Sequence, residues 1–266
     1  MALIDPARVH SALADAGFSF HIESLETCDS TNARLLLRAA DAPSALVLVA
    51  DRQTAGRGRR ERSWESTPEG SLTFSLLWHL PPEKIGGLSL AIGLALLRAL
   101  NKFGARHLAL KWPNDLLFTP PEAEPGKLAG ILVELATSGK KMTVVIGIGL
   151  NLHRPTGMAA AGLTDCLPAM PSREDLLAEI LLQTGRVLAV VEDYGFAALR
   201  HEWQTHHAYQ NCAVSLQDAG CIEVEGVCRG VDADGALLLE IPGKAGLTRF
   251  FAGDLSLRPK LEENIR

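Results

Sequence analysis

Apolar and polar positions fall into two textures along the chain. Up to about residue 210 they mark long helices interleaved with apolar strands; from Asn211 they mark short strands between Gly and Asp turns. Residues 5–16 predict a short helix, with Asp5 as cap, Pro6 in the first turn and Gly17 as the stop. Residues 18–25 are apolar enough for a strand. Asp29, Ser30, Thr31 and Asn32 offer N-caps for a helix reaching about Ala40. Residues 45–50 read as a short buried strand that delivers the chain into a run of arginines, and 72–78 as a strand apolar on both faces. Residues 84–103, rich in Leu and Ala, predict a helix that closes at Gly104. Short strands at 108–111 and 116–119 flank Trp112-Pro113-Asn114-Asp115, and a Pro-rich acidic loop, 120–126, follows. The apolar pair 128–135 and 142–150, joined by Ser138-Gly139-Lys140, reads as a hairpin. After an irregular stretch at 153–171, Ser172 caps a helix over about 173–192, and a second helix covers 195–207.

The remaining runs, 212–217, 222–231, 236–240 and 247–251, alternate with turns at Asp218-Ala219-Gly220, Asp232-Ala233-Asp234-Gly235 and Pro242-Gly243. That spacing predicts a small β-barrel or sandwich. A domain boundary near 210 therefore divides the chain into 1–210 and 211–266.

Composition narrows the functional classes. The 266 residues are 47% hydrophobic and 5% aromatic, enough for a substantial core of Leu, Ala, Val and Ile. A net charge of −5 and a pI near 5.9 argue against general affinity for nucleic acid or membranes. The five cysteines are odd in number and never form Cys-x-x-Cys, which suits reduced thiols. No charged-then-apolar leader opens the sequence, and the longest apolar run, roughly 88–100, is too short and broken to cross a bilayer. The expectation is a cytoplasmic protein.

One stretch departs from the acidic average. Between Arg52 and Arg62 lie five arginines and one glutamate, a local charge of +4, with Gly56 and Gly58 among them. Glycine lets the backbone approach a ligand, and forked guanidiniums match phosphate oxygens. No apolar residue at helical or strand spacing lies between Ala55 and Trp64, so the stretch is expected to lack a packed element and to order when an anion binds. Read alone, it also fits an ordinary solvated loop. No Walker A loop is present, because neither Lys127 nor Lys140 is followed by Ser or Thr, and Gly147-Ile148-Gly149 lacks the third glycine of a dinucleotide fingerprint. Other polar groups recur at strand ends and turns: Ser30-Thr31-Asn32, Gln53, Lys111 to Asp115, Lys127 and Asn151.

Taken together, Gly56-Arg57-Gly58-Arg59-Arg60 with Trp64 downstream, Lys111-Trp112-Pro113-Asn114-Asp115, and Lys127-Leu128-Ala129-Gly130-Ile131-Leu132-Val133-Glu134 resemble the biotin protein ligases in their short form. The resemblance runs from about Ser24 to Leu257. It implies an α+β fold, in which a mixed-sheet catalytic domain of class II synthetase type is followed by a small SH3-like β-barrel. It also implies an enzyme that uses ATP and Mg²⁺ to make biotinyl-5′-AMP from biotin. The biotinyl group then passes to one lysine of the biotin carboxyl carrier protein of acetyl-CoA carboxylase or a related carboxylase.

By position, the resemblance assigns Ser30, Thr31, Asn32, Gln53, Arg57, Gly58, Arg59, Lys127 and Gly130 to biotin, with Thr31 and Gln53 suited to its ureido ring. Arg59, Arg60, Arg62, Trp64, Lys111, Asn114, Lys127 and Asn151 go to ATP or the adenylate. Lys127, Arg59, Lys111 and Asp115 are the catalytic set, and Asp115 is also the candidate metal ligand. Trp64, Gly130 and Leu132 are expected to wall the pocket.

Some features depart from the family pattern. Glu61 stands where the pattern often has glycine, and the acidic segment 116–126 is longer than usual just before Lys127. Only some 25 residues precede the Ser30 block, about half what a winged helix-turn-helix needs, so no DNA-binding function is expected. A homodimer is left open. The rival readings are a lipoate or octanoate ligase or transferase, and a non-catalytic biotin-binding regulator.

Overall fold

The computed structural model describes residues 3–14, 17–138, 141–156, 159–218, 221–253 and 255–260. The Gly139-Lys140 part of the expected hairpin turn and Ala219-Gly220 lie outside the described residues. The chain opens with α1 (Pro6–Ala12), capped by the Asp5 carboxylate, which accepts from the Ala7 amide at 2.9 Å. It proceeds through β1 (His21–Cys28), α2 (Thr31–Arg38), β2 (Leu46–Gln53), β3 (Ser71–Leu80), α3 (Leu88–Lys102), β4 (Leu108–Lys111), β5 (Asp115–Phe118), β6 (Gly126–Ser138) and β7 (Lys141–Asn151). Then come α4 (Arg173–Tyr194) and α5 (Arg200–Thr205), followed by β8 (Ala213–Asp218), β9 (Cys221–Val231), β10 (Leu237–Glu240), β11 (Leu247–Phe250) and β12 (Leu255–Pro259).

The first seven strands make one mixed sheet in the order β1-β2-β3-β7-β6-β5-β4, parallel only between β1 and β2. Period-two alternation sends successive side chains to opposite faces. Val47, Val49, Phe74, Leu76, Ile146 and Ile148 enter a core shared with α3 and α4, while Leu46, Leu48, Leu77 and Val145 pack with Leu35 of α2 on the other face. β2 is apolar at consecutive positions because it is covered on both sides. The other five strands form an antiparallel sheet, β11-β10-β9-β8-β12, whose Val214, Leu216, Val231, Leu237 and Leu257 join the same larger core. Among the described residues, no helix is long and apolar enough to cross a membrane.

Several expected boundaries move. β1 lies at 21–28 rather than 18–25, because pairing with β2 in the register His21↔Leu46 to Cys28↔Gln53 outweighs local apolarity. That register also places Gln53 at the end of a strand. The helix expected over 84–103 starts at Leu88: Gly87 takes φ +71°, and a Cβ there would overlap the Phe196 ring. Gly195, at φ +72°, ends α4, so the helix expected over 195–207 divides into a short turn, Phe196–Ala198, and α5. β12 has no counterpart in the sequence reading; its Leu-Ser-Leu-Arg alternation is only four residues long before Pro259.

Candidate active site

The cavity arises where one face of the mixed sheet loses its side chains. Ala129, Ile131, Ile146, Ile148, Leu72 and Phe74 fill the core, so their neighbours in sequence point the other way. On that other face, the register aligns Asp115 with Gly130, Gly130 with Gly149 and Gly149 with Thr73, a row across four strands that carries two glycines. The next row sets Ser75, Gly147 and Leu132 side by side. A Cβ on Gly147 would overlap the Asn32 amide, and one on Gly149 would overlap the Trp64 indole. The result is a cavity open to solvent, lined by the start of α2, the arginine run and residues of β4 to β7 and β12.

Its polar end is built by α2. Ser30 is the N-cap, and its hydroxyl accepts from the Ala33 amide at 3.4 Å, which leaves Thr31 and Asn32 on the first turn facing the sheet. The Thr31 amide donates to Gln53 Oε1 at 2.7 Å, and Thr31 Oγ1 lies 3.1 Å from the same oxygen and 2.7 Å from Ser75 Oγ. Ser75 donates to Asn32 Oδ1 at 2.5 Å, and Asn32 Nδ2 donates to Glu134 Oε2 at 2.9 Å. Thr31, Asn32 and Ser75 are all buried.

The arginine run, expected to lack a packed element, is a closed hairpin. Arg57 bridges Ser63, Gly58 donates to the Arg62 carbonyl at 2.7 Å, and Trp64 donates to the Gly56 carbonyl at 2.9 Å. Protein acceptors answer its guanidiniums. Arg57 Nη2 donates to both Glu134 oxygens at 2.8 Å, while Arg59 donates to Asn114 Oδ1 at 3.2 Å and to the Ala252 and Gly253 carbonyls at 2.6 Å. Arg60 sits in the left-handed region at φ 59°, a strained conformation for a non-glycine residue, and donates to the Gln217 carbonyl at 3.3 Å.

Opposite the hairpin, Lys127 Nζ is 2.6 Å from Asp115 Oδ1 and 5.7 Å from the centre of the Trp64 ring. The turn between β4 and β5 is pinned: Asn114 Nδ2 donates to the Ile131 carbonyl at 2.7 Å and the Ile131 amide returns to the Asn114 carbonyl at 3.0 Å. The Trp112–Pro113 peptide is cis. Lys111 is buried, and burial, followed by the charge of Arg258, lowers its pKa to about 8; Asp115 works in the opposite direction.

Every residue expected at the site lines this one cavity except Asn151. The Asn151 amide donates to the Lys127 and Ala161 carbonyls at 3.2 and 3.1 Å, so it braces the strand start beneath Lys127. The acidic segment 120–125 is also absent from the lining. The sequence reading missed Thr73, Gly147 and Gly149 of the lining, Leu255 and Ser256 from the second sheet, and Ser75 and Glu134, which stand behind the lining and hydrogen-bond to Asn32. Two glycines inside an apolar strand were the available signal, since such glycines mark a close approach. Among the described residues, no group of three or more His, Cys, Asp or Glu could hold a metal ion, and Asp115 is the one carboxylate lining the cavity.

Comparison with known proteins agrees with this geometry. The biotin/lipoate A/B protein ligase family model matches residues 24–151. The bifunctional ligase/repressor BirA of Salmonella typhimurium is 35% identical over 270 residues, covering 96% of this chain and 79% of that one. The biotin–[acetyl-CoA-carboxylase] ligase of Mycobacterium tuberculosis is 31% identical over 264 residues, covering 95% of each. Among solved structures, the biotin protein ligase from Aquifex aeolicus in complex with biotin and ATP has a TM-score of 0.75 at 29% identity, covering 90% of this chain and 99% of that one.

Proposed function

This chain belongs to the biotin/lipoate A/B protein ligase family and is a biotin ligase, and on that premise we propose that it works through biotinyl-5′-AMP. In this reading the biotin carboxylate attacks the α-phosphorus of ATP and pyrophosphate leaves. The ε-amine of a carrier-protein lysine then attacks the acyl carbonyl and AMP leaves. The observation that carries the proposal is the pairing of a cationic rim, made of the arginine hairpin, Lys111 and Lys127, with a polar end of donors and acceptors at Thr31 and Gln53 in one cavity. The first step brings an anion against a polyanion, and positive groups fixed beforehand offset that repulsion and stabilise charge growing on the phosphoryl oxygens. The second step starts from an activated mixed anhydride, so placing the acceptor amine is most of what remains.

The roles follow from position. Thr31 and Gln53 would hold the ureido ring, supported by Ser30 and Asn32, with Gly130 and Leu132 as walls. Lys127 would leave Asp115 for the biotin carboxylate and then follow the acyl phosphate. Arg57 and Gly58 would close over biotin. Arg59, Arg60, Arg62, Lys111, Asn114 and Trp64 would face the nucleotide. Mg²⁺ binds readily through one carboxylate plus substrate phosphates, so a single cavity carboxylate fits a cation that arrives on ATP. Asp115 would hold it, and the ion would supply charge neutralisation of the departing pyrophosphate.

The acceptor would be the carrier protein of acetyl-CoA carboxylase or a related carboxylase, in the cytoplasm. Residues 211–266 would form an SH3-like barrel: register shifts within β8–β9 and β9–β10 bend those strands as closure requires. Mass spectrometry of a carrier domain incubated with the protein, biotin and ATP tests the proposal. One biotinyl mass on one lysine is expected, with Lys127→Gln lowering ATP-dependent pyrophosphate release by about 100-fold or more. A lipoyl or octanoyl mass from those acids in place of biotin, or no product, would overturn it.

A further inference from the structure

Glu134 lies on the cavity face of β6, two residues beyond Leu132, and no role has been given to it so far. Both of its oxygens accept from Arg57 Nη2, and Oε2 also accepts from the Asn32 amide. One side chain therefore touches the closed hairpin on one side and, through Asn32, the polar end of the cavity on the other.

Its chemistry sets a direction. A carboxylate paired with a guanidinium accepts hydrogen bonds and donates none. The Asn32 amide must therefore turn its NH₂ towards Glu134, on the side where it also reaches the Leu132 carbonyl at 3.3 Å, which leaves Oδ1 facing Ser75 at 2.5 Å. Ser75 has one hydroxyl hydrogen and spends it on that oxygen. The 2.7 Å contact between Thr31 Oγ1 and Ser75 Oγ then requires Thr31 to donate there, in preference to the more distant Gln53 Oε1 at 3.1 Å. Thr31 has thereby used its own hydrogen, and its remaining lone pair can only accept. Gln53 is fixed independently: its Oε1 takes the Thr31 amide at 2.7 Å, which leaves its NH₂ as a donor. The end of the cavity thus presents an acceptor beside a donor, the complement of the N–H and C=O of a cyclic urea. Asn32, Ser75 and Thr31 are buried, so their mutual hydrogen bonds set the order.

We infer that Glu134 is a positioning residue that fixes the donor–acceptor polarity of the Asn32–Ser75–Thr31 relay and tethers Arg57 of the hairpin. This rests on the reading of that end as the ureido subsite. A glutamine at 134 can donate as well as accept, so the orientation of the Asn32 amide then rests on its longer 3.3 Å bond to the Leu132 carbonyl alone, and the relay can reverse. Ser75→Ala cuts the relay without touching Arg57.

A double-mutant cycle tests it, using calorimetric titration of biotin into the full chain without ATP. Glu134→Gln and Ser75→Ala should each weaken biotin binding by about tenfold, the scale of one mismatched buried hydrogen bond. The double variant should be little weaker than either single one, because both break the same relay. In turnover, KM for biotin should rise in both single variants while kcat and KM for ATP stay within about threefold of wild type. Glu134→Asp, which keeps an acceptor-only group, should recover part of the biotin affinity where Glu134→Gln does not. Additive losses, unchanged biotin affinity in either single variant, or equal losses in Glu134→Asp and Glu134→Gln would overturn the inference. Failure of the wild-type protein to bind biotin would instead overturn the ureido reading itself.

Discussion

Lys111 is the cavity residue whose charge depends most on its surroundings. It ends β4 beside a turn pinned by Asn114, with the Tyr209 ring 5.9 Å from its ammonium, and burial together with Arg258, Lys127 and Arg62 brings its pKa down to about 8. A phosphate beside it would raise that pKa again, so nucleotide binding above pH 8 takes up a proton. The sign follows: the bound pKa exceeds the free one, so the lysine's contribution to affinity is complete below about 8 and is lost as pH rises towards the bound value. Affinity for ATP or a stable biotinyl-AMP analogue should therefore fall by up to about tenfold per pH unit above 8. Lys111→Gln should bind more weakly at pH 7 and lose that slope. An identical slope in wild type and variant would remove Lys111 from the nucleotide subsite.

At the scale of elements, the site depends on β7 more than the sequence suggested. The cationic residues are legible only jointly: the arginine run alone also fits a solvated loop, and it is the run together with the Lys111–Asp115 and Lys127–Glu134 stretches that points to a site. The sheet's contribution was not legible, because Gly147 and Gly149 are informative only once the register sets them beside Asn32 and Trp64. For the same reason Asn151 looked like a ligand-facing residue at a strand end, although its amide is taken up by the Lys127 and Ala161 carbonyls. The hairpin's closure was also hidden, since its acceptors come from β6 and from residues 252–253, far away in sequence. A methyl group restored to the cavity floor should show how much that floor matters. Overpacking costs about 1–3 kcal/mol, and Gly147→Ala directs it at the Asn32 amide. Biotin affinity should fall by about ten- to a hundredfold, and Gly149→Ala should also shift the Trp64 fluorescence. Unchanged titrations for both variants would mean that the ligand does not use this floor.

At the scale of the molecule, the sequence marked a change of texture near residue 210, and the structure does place two sheets on either side of it. Texture reports strand length and turn spacing, which are local, and says nothing about whether the sheets share a core. They do share one. Val214, Leu216, Cys228, Leu237 and Leu239 of the second sheet lie in the same buried cluster as α3, α4 and Trp203 of the first. A hydrogen bond ties them as well: Trp112 Nε1 donates to the Gly235 carbonyl at 3.1 Å. Arg59 adds a link from the active-site hairpin to Ala252 and Gly253. Separating the sheets would expose apolar surface at about 25 cal/mol per Å² and leave these buried donors and acceptors unmet. Neither sheet is therefore expected to melt alone. Calorimetry should show one transition with equal calorimetric and van't Hoff enthalpies, and a chain ending at 210 should melt well below the whole one. Two resolved transitions, or a 1–210 fragment as stable as the full chain, would make residues 211–266 an independent domain. Closure of the arginine hairpin would then depend on docking between domains rather than on a common core.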